Sequence, residues 1–524
     1  MTPTARALPP RGTALLLTLV AALLLFRLGA VPLLGPDEPR YARVAVEMHR
    51  AGEWVRPTLQ GQPWLEKPPL YYWLAGAAFR VFGETETAAR LPAVLAALSM
   101  VGMTALVGAR LYGAASGLHA AFIAGTCVLT FIYGRAASMD MLLAAAVTGA
   151  IGLAGLRLLG IAGSLALPVA AVLAGAGTLA KGPLGLLLPL LVVLGHIGVT
   201  REWRALRAVL SPWVIAAFLA VAAPWYVAIL RDQGRAFVDV FLLDHNLQRF
   251  TSTIHRHPGA FHYYLPVLLL LFPWFGLVLP ALGALRPRLD RRDLFVLLWL
   301  ALPLAFFSAA GSKLPGYILP CVPPLALMMG RAANLLVGQE HAFPRGLGPR
   351  AAAALTLVLA VVVALAPPVL LARGEPYARL AMPYGVFCLL SALAFARRIG
   401  SDPAGALRLM RVGAAGGLVL LTLAAPTILA RRESGRDLFV PAQGREVLVW
   451  GAKRTAWMAG YFYNDGRVRP VESLAEITQA AASGPVLVLC GPDECGRLER
   501  LMAYRATVLA EGPGRSALLR VERR

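Results

Sequence analysis

Long apolar segments recur along the first 430 residues, each about twenty residues in length, as the hydrocarbon core of a bilayer requires of a spanning helix. The 524 residues are 58% hydrophobic and only 15% charged, with a mean hydropathy of +0.65. A soluble fold of this length could not remove so much apolar surface from water. We therefore predict a polytopic α-helical membrane protein with about thirteen transmembrane helices. The predicted spans are residues 13–34, 91–110, 115–133, 141–160, 163–180, 183–199, 208–230, 264–285, 293–310, 314–333, 351–372, 383–396 and 409–430.

Arginine is the main source of the formal net charge of +22, and it gathers in short loops between the predicted spans. The positive-inside rule assigns such loops to the cytoplasm and explains the charge without nucleic-acid binding. An odd number of spans then puts residues 35–90 and 431–524 on the outer side. The 35–90 segment is itself basic, but long segments translocate largely regardless of charge. We expect the first span to stay as a signal anchor, because no convincing cleavage site follows it.

Composition changes abruptly near residue 430, and the tail has the pattern of a small α/β domain. Residues 446–450 and 485–489 resemble buried strands, and residues 504–509 and 516–521 resemble further strands. Residues 474–482 and 493–503 resemble helices. In this tail Cys490 and Cys495 fit either a short-loop disulfide or a pair of free thiols. We therefore divide the chain into a transmembrane domain, residues 1–430, and an α/β domain, residues 431–524.

The first outer loop, residues 35–90, is far more polar than the spans beside it and is not a plain linker. Residues 41–50 have a helical pattern with Tyr41, Val44 and Met48 on one stripe. Aromatic residues after Pro69 suit the interface between membrane and water. We expect short amphipathic helices that lie at the membrane surface in this loop.

Two adjacent acids, Asp37 and Glu38, open this loop directly after a span. Acidic residues favour helix N-termini, so one of them is explained as a helix cap. A second acid is explained less well in this way, because ionisable groups at a membrane boundary usually have a function. We favour Asp37 as a general base within reach of an acceptor hydroxyl and leave Glu38 open.

Lys67 lies between Glu66 and two prolines at the end of the same polar stretch. A lone lysine at a membrane edge commonly extends its ammonium group toward water. The prolines constrain this one more than that role requires, and a compact cation is suited to a phosphate group.

Four further charged residues fall at the outer ends of predicted spans, and each has the alternative role of marking a helix end. Asp140 is the hardest to explain in that way, because it lies between two methionines in an apolar context. If the topology is right, all four converge on one outward cavity. They are Arg135, Asp140, Lys181 and Lys313.

Residues 244–250 form another polar cluster, followed by three histidines. The histidine spacing matches no tight zinc motif, and a solvated loop explains His255 and His257. Arg249 is a candidate phosphate ligand because its guanidinium group can bind in a bidentate manner.

The motifs GPDEPRYA, GEWVRPTLQGQPWLEKPPLYYWL and FGETETAARLP resemble the first outer loop of the lipid A aminoarabinose transferases. That family belongs to the GT-C class of polyprenyl-phosphate-dependent glycosyltransferases and is distantly similar to the protein O-mannosyltransferases. The resemblance is specific over residues 35–92 and looser at Arg135–Asp140, Asp244–Phe250 and Ser312–Pro320.

The resemblance implies a role for each candidate residue. It implies catalysis by Asp37 and Asp140, with Glu38 as a further catalytic candidate, and binding of the lipid phosphate by Lys67, Arg249 and Lys313. It leaves a divalent metal open, with Glu66 and His245 as its candidate ligands, and implies no other cofactor. The candidate lining of the donor and acceptor cavity is Arg40, Tyr41, Arg135, Lys181 and Tyr317.

The implied reaction is transfer of a sugar from a polyprenyl (undecaprenyl) phosphate to lipid A, another envelope glycan or a protein. The implied place is the periplasmic face of a bacterial inner membrane, among membrane lipids and without nucleic acid. A transporter or flippase for a lipid-linked sugar is the alternative, but it predicts internal repeats and charges near the bilayer midplane. A non-catalytic scaffold gives no reason for Asp37, Lys67 and Asp140 to share one side.

Overall fold

The computed structural model describes residues 9–248, 259–285, 289–338, 347–501 and 503–524. Within these residues, eight helices are long and apolar enough to cross a membrane. They are Glu86–Tyr112, Asp140–Leu158, Pro212–Gln233, Arg291–Ala309, Pro315–Val337, Gly348–Ala372, Pro376–Arg398 and Pro403–Glu433. A pair bent by 107°, Phe261–Leu271 with Trp274–Gly283, forms a further candidate span. Shorter apolar helices are Pro10–Leu25, Ala166–Lys181 and Leu184–Thr200. The predicted multi-pass helical membrane fold is confirmed.

Three predicted spans differ from the observed helices. The predicted span 264–285 is instead the pair of segments bent by 107°. The first helix, α1 (Pro10–Leu25), ends well before the predicted limit at residue 34, because the chain turns after Phe26. The predicted span 115–133 is divided into Ala114–Thr126 and Val128–Tyr133, because the backbone of Cys127 is extended at φ −73° and ψ 148°. Around Lys181 the chain forms two helices separated at Gly182, whose φ of +77° ends the first of them.

The chain forms two units. The first unit consists of residues 1–26, 65–71 and 92–421 and contains most of the membrane helices. The second unit consists of residues 27–64, 72–91 and 422–524. The second unit therefore contains the predicted domain 431–524 together with much of the predicted loop 35–90.

The loop 35–90 contains two helices and a short hairpin. The helices are α2 (Asp37–Ala51) and α3 (Leu70–Phe82), and the hairpin pairs β1 (Thr58–Leu59) with β2 (Gln62–Pro63). In α2 the predicted stripe of Tyr41, Val44 and Met48 is buried. The left-handed Gly52 ends α2, as glycine commonly does after a helix.

A five-stranded mixed sheet forms the core of the tail, and four of its strands were predicted. The strands are β3 (Val447–Trp450), β4 (Val468–Pro470), β5 (Val486–Cys490), β6 (Tyr504–Glu511) and β7 (Ala517–Arg523), in the spatial order β4-β3-β5-β7-β6. Strand β3 is parallel to β4 and β5, whereas β7 is antiparallel to β5 and β6. The three residues of β4 were missed because they are too few to show an alternating pattern. The tail also contains helices Leu474–Ala482 and Pro492–Glu499, and the second ends four residues before its predicted limit. A disulfide joins Cys490 to Cys495.

Candidate active site

The two adjacent acids at the start of α2 lie in different environments. Asp37 is the first residue of α2, where the helix dipole favours a negative charge. Its side chain is 53% exposed and forms an ion pair with Arg40, one turn later in the same helix. Glu38, by contrast, is only 7% exposed. The helix therefore presents one carboxylate to its surroundings and buries the other.

Glu38 is held by charge-assisted hydrogen bonds on both sides. The guanidinium group of Arg90 donates to its Oε2 atom at 2.7 Å, and the backbone N–H of Leu34 donates to the same oxygen at 2.6 Å. Arg90 also donates to the carbonyl oxygens of Leu28 and Pro32, at 3.0 and 2.8 Å. Glu38 and Arg90 thus connect the segment before α2 to the first turns of the helix Glu86–Tyr112. These contacts favour a structural role for Glu38 over the predicted catalytic one.

Aromatic rings surround the cation that pairs with Asp37. The guanidinium carbon of Arg40 lies 5.3 Å from the ring centroid of Trp64 and 5.9 Å from that of Tyr41. The indole N–H of Trp64 donates to the hydroxyl of Tyr72 at 3.2 Å. Arg40 and Tyr41, both predicted to line the cavity, therefore lie beside the candidate catalytic acid.

In the first unit, Lys67 lies close enough to Asp140 for their charges to interact. Lys67 is 8% exposed, and its ammonium group donates to the carbonyl oxygen of Glu66 at 3.1 Å. The charge of Lys67 also acts on the carboxylate of Asp140. Pro68 and Pro69 are buried directly after it. The prolines fix the backbone, so the ammonium group is presented from a constrained position.

Asp140 and Lys181 form an ion pair at the ends of two apolar helices. Asp140 is the first residue of Asp140–Leu158, and Lys181 is the last residue of Ala166–Lys181. The hydroxyl of Ser138 lies 3.3 Å from the Asp140 carboxylate. The ammonium group of Lys181 lies 4.6 Å from the ring centroid of Tyr317. We call the set of Lys67, Asp140, Lys181 and Tyr317 the lysine cluster. The cluster contains two cationic side chains and one carboxylate.

Lysine is rare in this chain, and most of its lysines lie in the first unit. Only four of the 50 basic residues are lysines, and three of them lie in the first unit with side chains that are largely buried. A compact ammonium group differs from guanidinium in being a point charge on a flexible stem. The fourth lysine lies in the tail. The four are Lys67, Lys181, Lys313 and Lys453.

Two other predicted cavity residues have structural contacts. Arg135 donates to the carbonyl oxygens of Leu24 and Phe26 at 2.7 and 2.9 Å. Arg135 thus satisfies carbonyl groups that the end of α1 leaves without helical partners. Lys313, which is 6% exposed, donates to the carbonyl of Ala310 at 2.5 Å.

The predicted metal ligands and the second phosphate ligand stay predictions. Arg249 lies outside the described residues, as do the side chain of His245 and all of His255 and His257. His245 falls within the helix Val238–Gln248. Among the described residues, no group of three or more His, Cys, Asp and Glu side chains is arranged to hold a metal ion.

Sequence reasoning missed Arg90 and Ser138 as parts of this arrangement. Arg90 was counted only as a basic residue of the first outer loop. The available signal was its position within FGETETAARLP, where an arginine precedes a long apolar run with no short-loop arginine cluster beside it.

Known proteins match this chain in both sequence and fold. The family model described as dolichyl-phosphate-mannose-protein mannosyltransferase matches residues 66–227. The undecaprenyl phosphate-alpha-4-amino-4-deoxy-L-arabinose arabinosyl transferase of Edwardsiella ictaluri is 34% identical over 317 residues, or 58% of this chain and 56% of the relative. The protein of that name from Pseudomonas aeruginosa strain UCBPP-PA14 is 36% identical over 57% of this chain and 55% of the relative. The aligned regions thus span little more than half the length of these relatives.

A crystal structure of ArnT from Cupriavidus metallidurans bound to undecaprenyl phosphate matches with a TM-score of 0.80, at 23% identity and with 98% of each chain covered. The chain therefore has the polytopic membrane fold known as GT-C. In sequence, the chain is similar to the undecaprenyl phosphate-alpha-4-amino-4-deoxy-L-arabinose arabinosyl transferases over a little more than half of its length.

Proposed function

We propose that this chain is a polyprenyl-phosphate-sugar-dependent glycosyltransferase. The donor would be an undecaprenyl phosphate that carries aminoarabinose or another pentose or hexose. The acceptor would be lipid A, another envelope glycan or a protein. The observation that carries the proposal is the lysine cluster, in which the largely buried ammonium groups of Lys67, in the bend before α3, and Lys181, at the end of its helix, offer charge to an anionic lipid. The names of the relatives and the GT-C fold support the same donor class.

Each half of the reaction is assigned to particular side chains. Lys67 and Lys181 stabilise the negative charge that develops on the lipid phosphate as the glycosidic bond breaks. Fixed charges aimed at a developing anion contribute several kcal/mol, of order 3 in well-studied sites. Asp140 holds Lys181, and Lys313 and Arg249 are further phosphate ligands. Asp37 accepts the proton of the attacking acceptor, since it is the exposed acid of the pair.

We further propose that these groups face the periplasm of a bacterial inner membrane. The arginines of the opposite loops support this orientation through the positive-inside rule. A membrane-bound donor then meets the lysine cluster at the surface of the bilayer.

The test measures sugar transfer by the full chain in liposomes that contain extracted polyprenyl-phosphate sugars. We expect Asp37→Asn and Lys67→Ala to fold as the wild type does and to lose at least about a hundredfold in rate. Lys453→Ala is the matched control, because it removes the lysine outside the first unit. Activity that survives EDTA treatment would argue against a metal at Glu66 and His245. Wild-type lipid movement without transfer would instead establish the transporter alternative.

A further inference from the structure

A tight turn in the tail meets the helix that carries Asp37. Residues Asp465 and Gly466 have φ angles of +52° and +75°, in the left-handed region that Gly, Asn and Asp adopt more readily than other residues. The turn lies between the short helix Gly460–Tyr463 and strand β4. The amide of the preceding residue, Asn464, fixes the base of the turn, because it donates to the carbonyls of Arg445 and Arg467 at 2.9 Å each.

The carboxylate of Asp465 receives two arginines from α2. Arg43 forms an ion pair with its Oδ1 atom, and Arg50 donates to the same atom at 2.8 Å. Arg50 also binds Glu84 with two hydrogen bonds, at 2.8 and 2.6 Å. At Gly466, a Cβ atom would lie 3.4 Å from the guanidinium group of Arg43. A Cβ atom there would be in ordinary van der Waals contact with the arginine, whereas the positive φ would strain a residue other than glycine.

The hairpin after α2 is tied to the same turn. The side-chain amide of Gln60 donates to the carbonyls of Gly466 and Val468 at 2.7 and 3.0 Å. The backbone N–H of Gln60 donates to Glu47 of α2 at 2.8 Å, and Arg43 donates to the same carboxylate at 2.7 Å. Helix, hairpin and turn thus share one polar network.

A second contact fixes the start of α2. The hydroxyl of Tyr463 accepts a hydrogen bond from the backbone N–H of Leu33 at 2.7 Å and donates to Glu86 at 3.1 Å. Leu33 lies four residues before Asp37, in the turn that leads into α2. The residues from Tyr463 to Val468 therefore bind the segment before α2 as well as the middle and the last turn of α2.

We propose that Asp465 is a positioning residue for sugar transfer, which holds α2 through Arg43 and Arg50 so that Asp37 stays in its working orientation. This inference rests on the glycosyltransfer proposed above. A helix anchored at both ends cannot tilt or slide, and a small misplacement of a catalytic group can cost as much as about a hundredfold in rate. The tail thus takes part in transfer without touching the reacting atoms.

The first test is hydrogen–deuterium exchange of the full chain in nanodiscs, comparing wild type with Asp465→Asn. We expect amides of residues 37–51 to exchange about tenfold faster in the variant, whereas amides of strands β3, β5 and β7 stay protected. Asp493→Asn is the matched control, since Asp493 is an exposed acid of the same domain without these contacts. Equal exchange of residues 37–51 in Asp465→Asn and Asp493→Asn would overturn the proposal.

The second test separates positioning from general stability. We expect Asp465→Asn to lower kcat about tenfold and to leave KM for the donor unchanged, because the phosphate ligands are intact. If Asp465→Asn also exposes the strands, Gln60→Ala decides the question, because it removes contacts to the turn and leaves the sheet intact. If Asp465→Asn and Gln60→Ala both show the exchange rates and the kcat of the wild type, positioning of α2 by this turn is excluded. The exchange measurement needs no substrate. If the wild type transfers no sugar, the proposed function is refuted, and the exchange result still shows whether Asp465 holds α2 in place.

Discussion

Arg90 and Glu38 form a buried ion pair, with 2.7 Å between the guanidinium group and the carboxylate and side chains that are 3% and 10% exposed. Asp37, the preceding residue, has a side chain that is 53% exposed. Adjacent carboxylates in one helix therefore have opposite surroundings. Breaking a buried pair leaves an uncompensated charge, whereas changing an exposed acid leaves the fold nearly unaffected.

We expect Glu38→Gln to lower the free energy of unfolding by about 3–5 kcal/mol, because Arg90 would stay buried without its counter-ion. Asp37→Asn should lose transfer activity with little change in Tm. Thermal unfolding and transfer rates of the two variants, measured side by side, check this separation. A fully stable but inactive Glu38→Gln protein would restore Glu38 as a catalytic candidate.

The pair of Asp140 and Lys181 is expected to behave as one unit. Single variants Asp140→Asn and Lys181→Gln each leave a largely buried partner uncompensated, so the double variant should be more stable than the sum of the single effects predicts. The coupling free energy should fall between about 0.5 and 3 kcal/mol. A double-mutant cycle on thermal stability measures it, and strictly additive effects would show that the pair contributes nothing.

The contact between Asp465 and α2 should depend on pH. Burial tends to raise the pKa of this carboxyl, but hydrogen bonds from Arg43 and Arg50 outweigh that effect and lower the pKa from its ordinary value of 3.8. The contribution of the contact to stability is therefore complete above pH 3.8 and is lost as the pH falls through the lower, folded-state pKa.

Differential scanning measurements from pH 7 downward should show the gap in Tm between wild type and Asp465→Asn closing only in that acidic range. The control introduces Asp465→Asn into the variant Arg43→Gln/Arg50→Gln, in which Asp465 has lost both arginine partners. The Tm difference caused by Asp465→Asn in that background should be small at every pH. A gap that closes near neutral pH would point to another group.

The disulfide between Cys490 and Cys495 is expected to stabilise the tail. It closes a loop between cysteines five positions apart, for which the chain-entropy model gives about 2 kcal/mol. Reduction, or Cys490→Ala with Cys495→Ala, should lower the unfolding midpoint of the tail. Exchange of β3 and β5 amides provides the measurement. Unchanged protection after reduction would show that the packed sheet suffices.

Most of the membrane fold could be predicted from the sequence, because a span must be apolar over a length that the bilayer sets. Helices such as Asp140–Leu158 and Pro212–Gln233 lie within a few residues of their predicted limits. The break at Cys127 could not be predicted, since nothing local to that residue forbids a helix. It depends on packing, in which the N–H of Val128 donates to the carbonyl of Phe272 at 3.2 Å.

The class of fold, four of the five strands of the tail and the acids and lysines that could carry chemistry follow from the sequence, because hydrophobic periodicity and charge are local properties. Which of those groups pair depends on the folded structure. Glu38 was an open candidate until Arg90, 52 residues away, proved to neutralise it. Asp465 gave no signal at all, because its partners Arg43 and Arg50 lie more than 400 positions earlier in the chain. Ion pairs form between atoms that folding brings together, and a local sequence pattern holds no information about which distant residues will be neighbours.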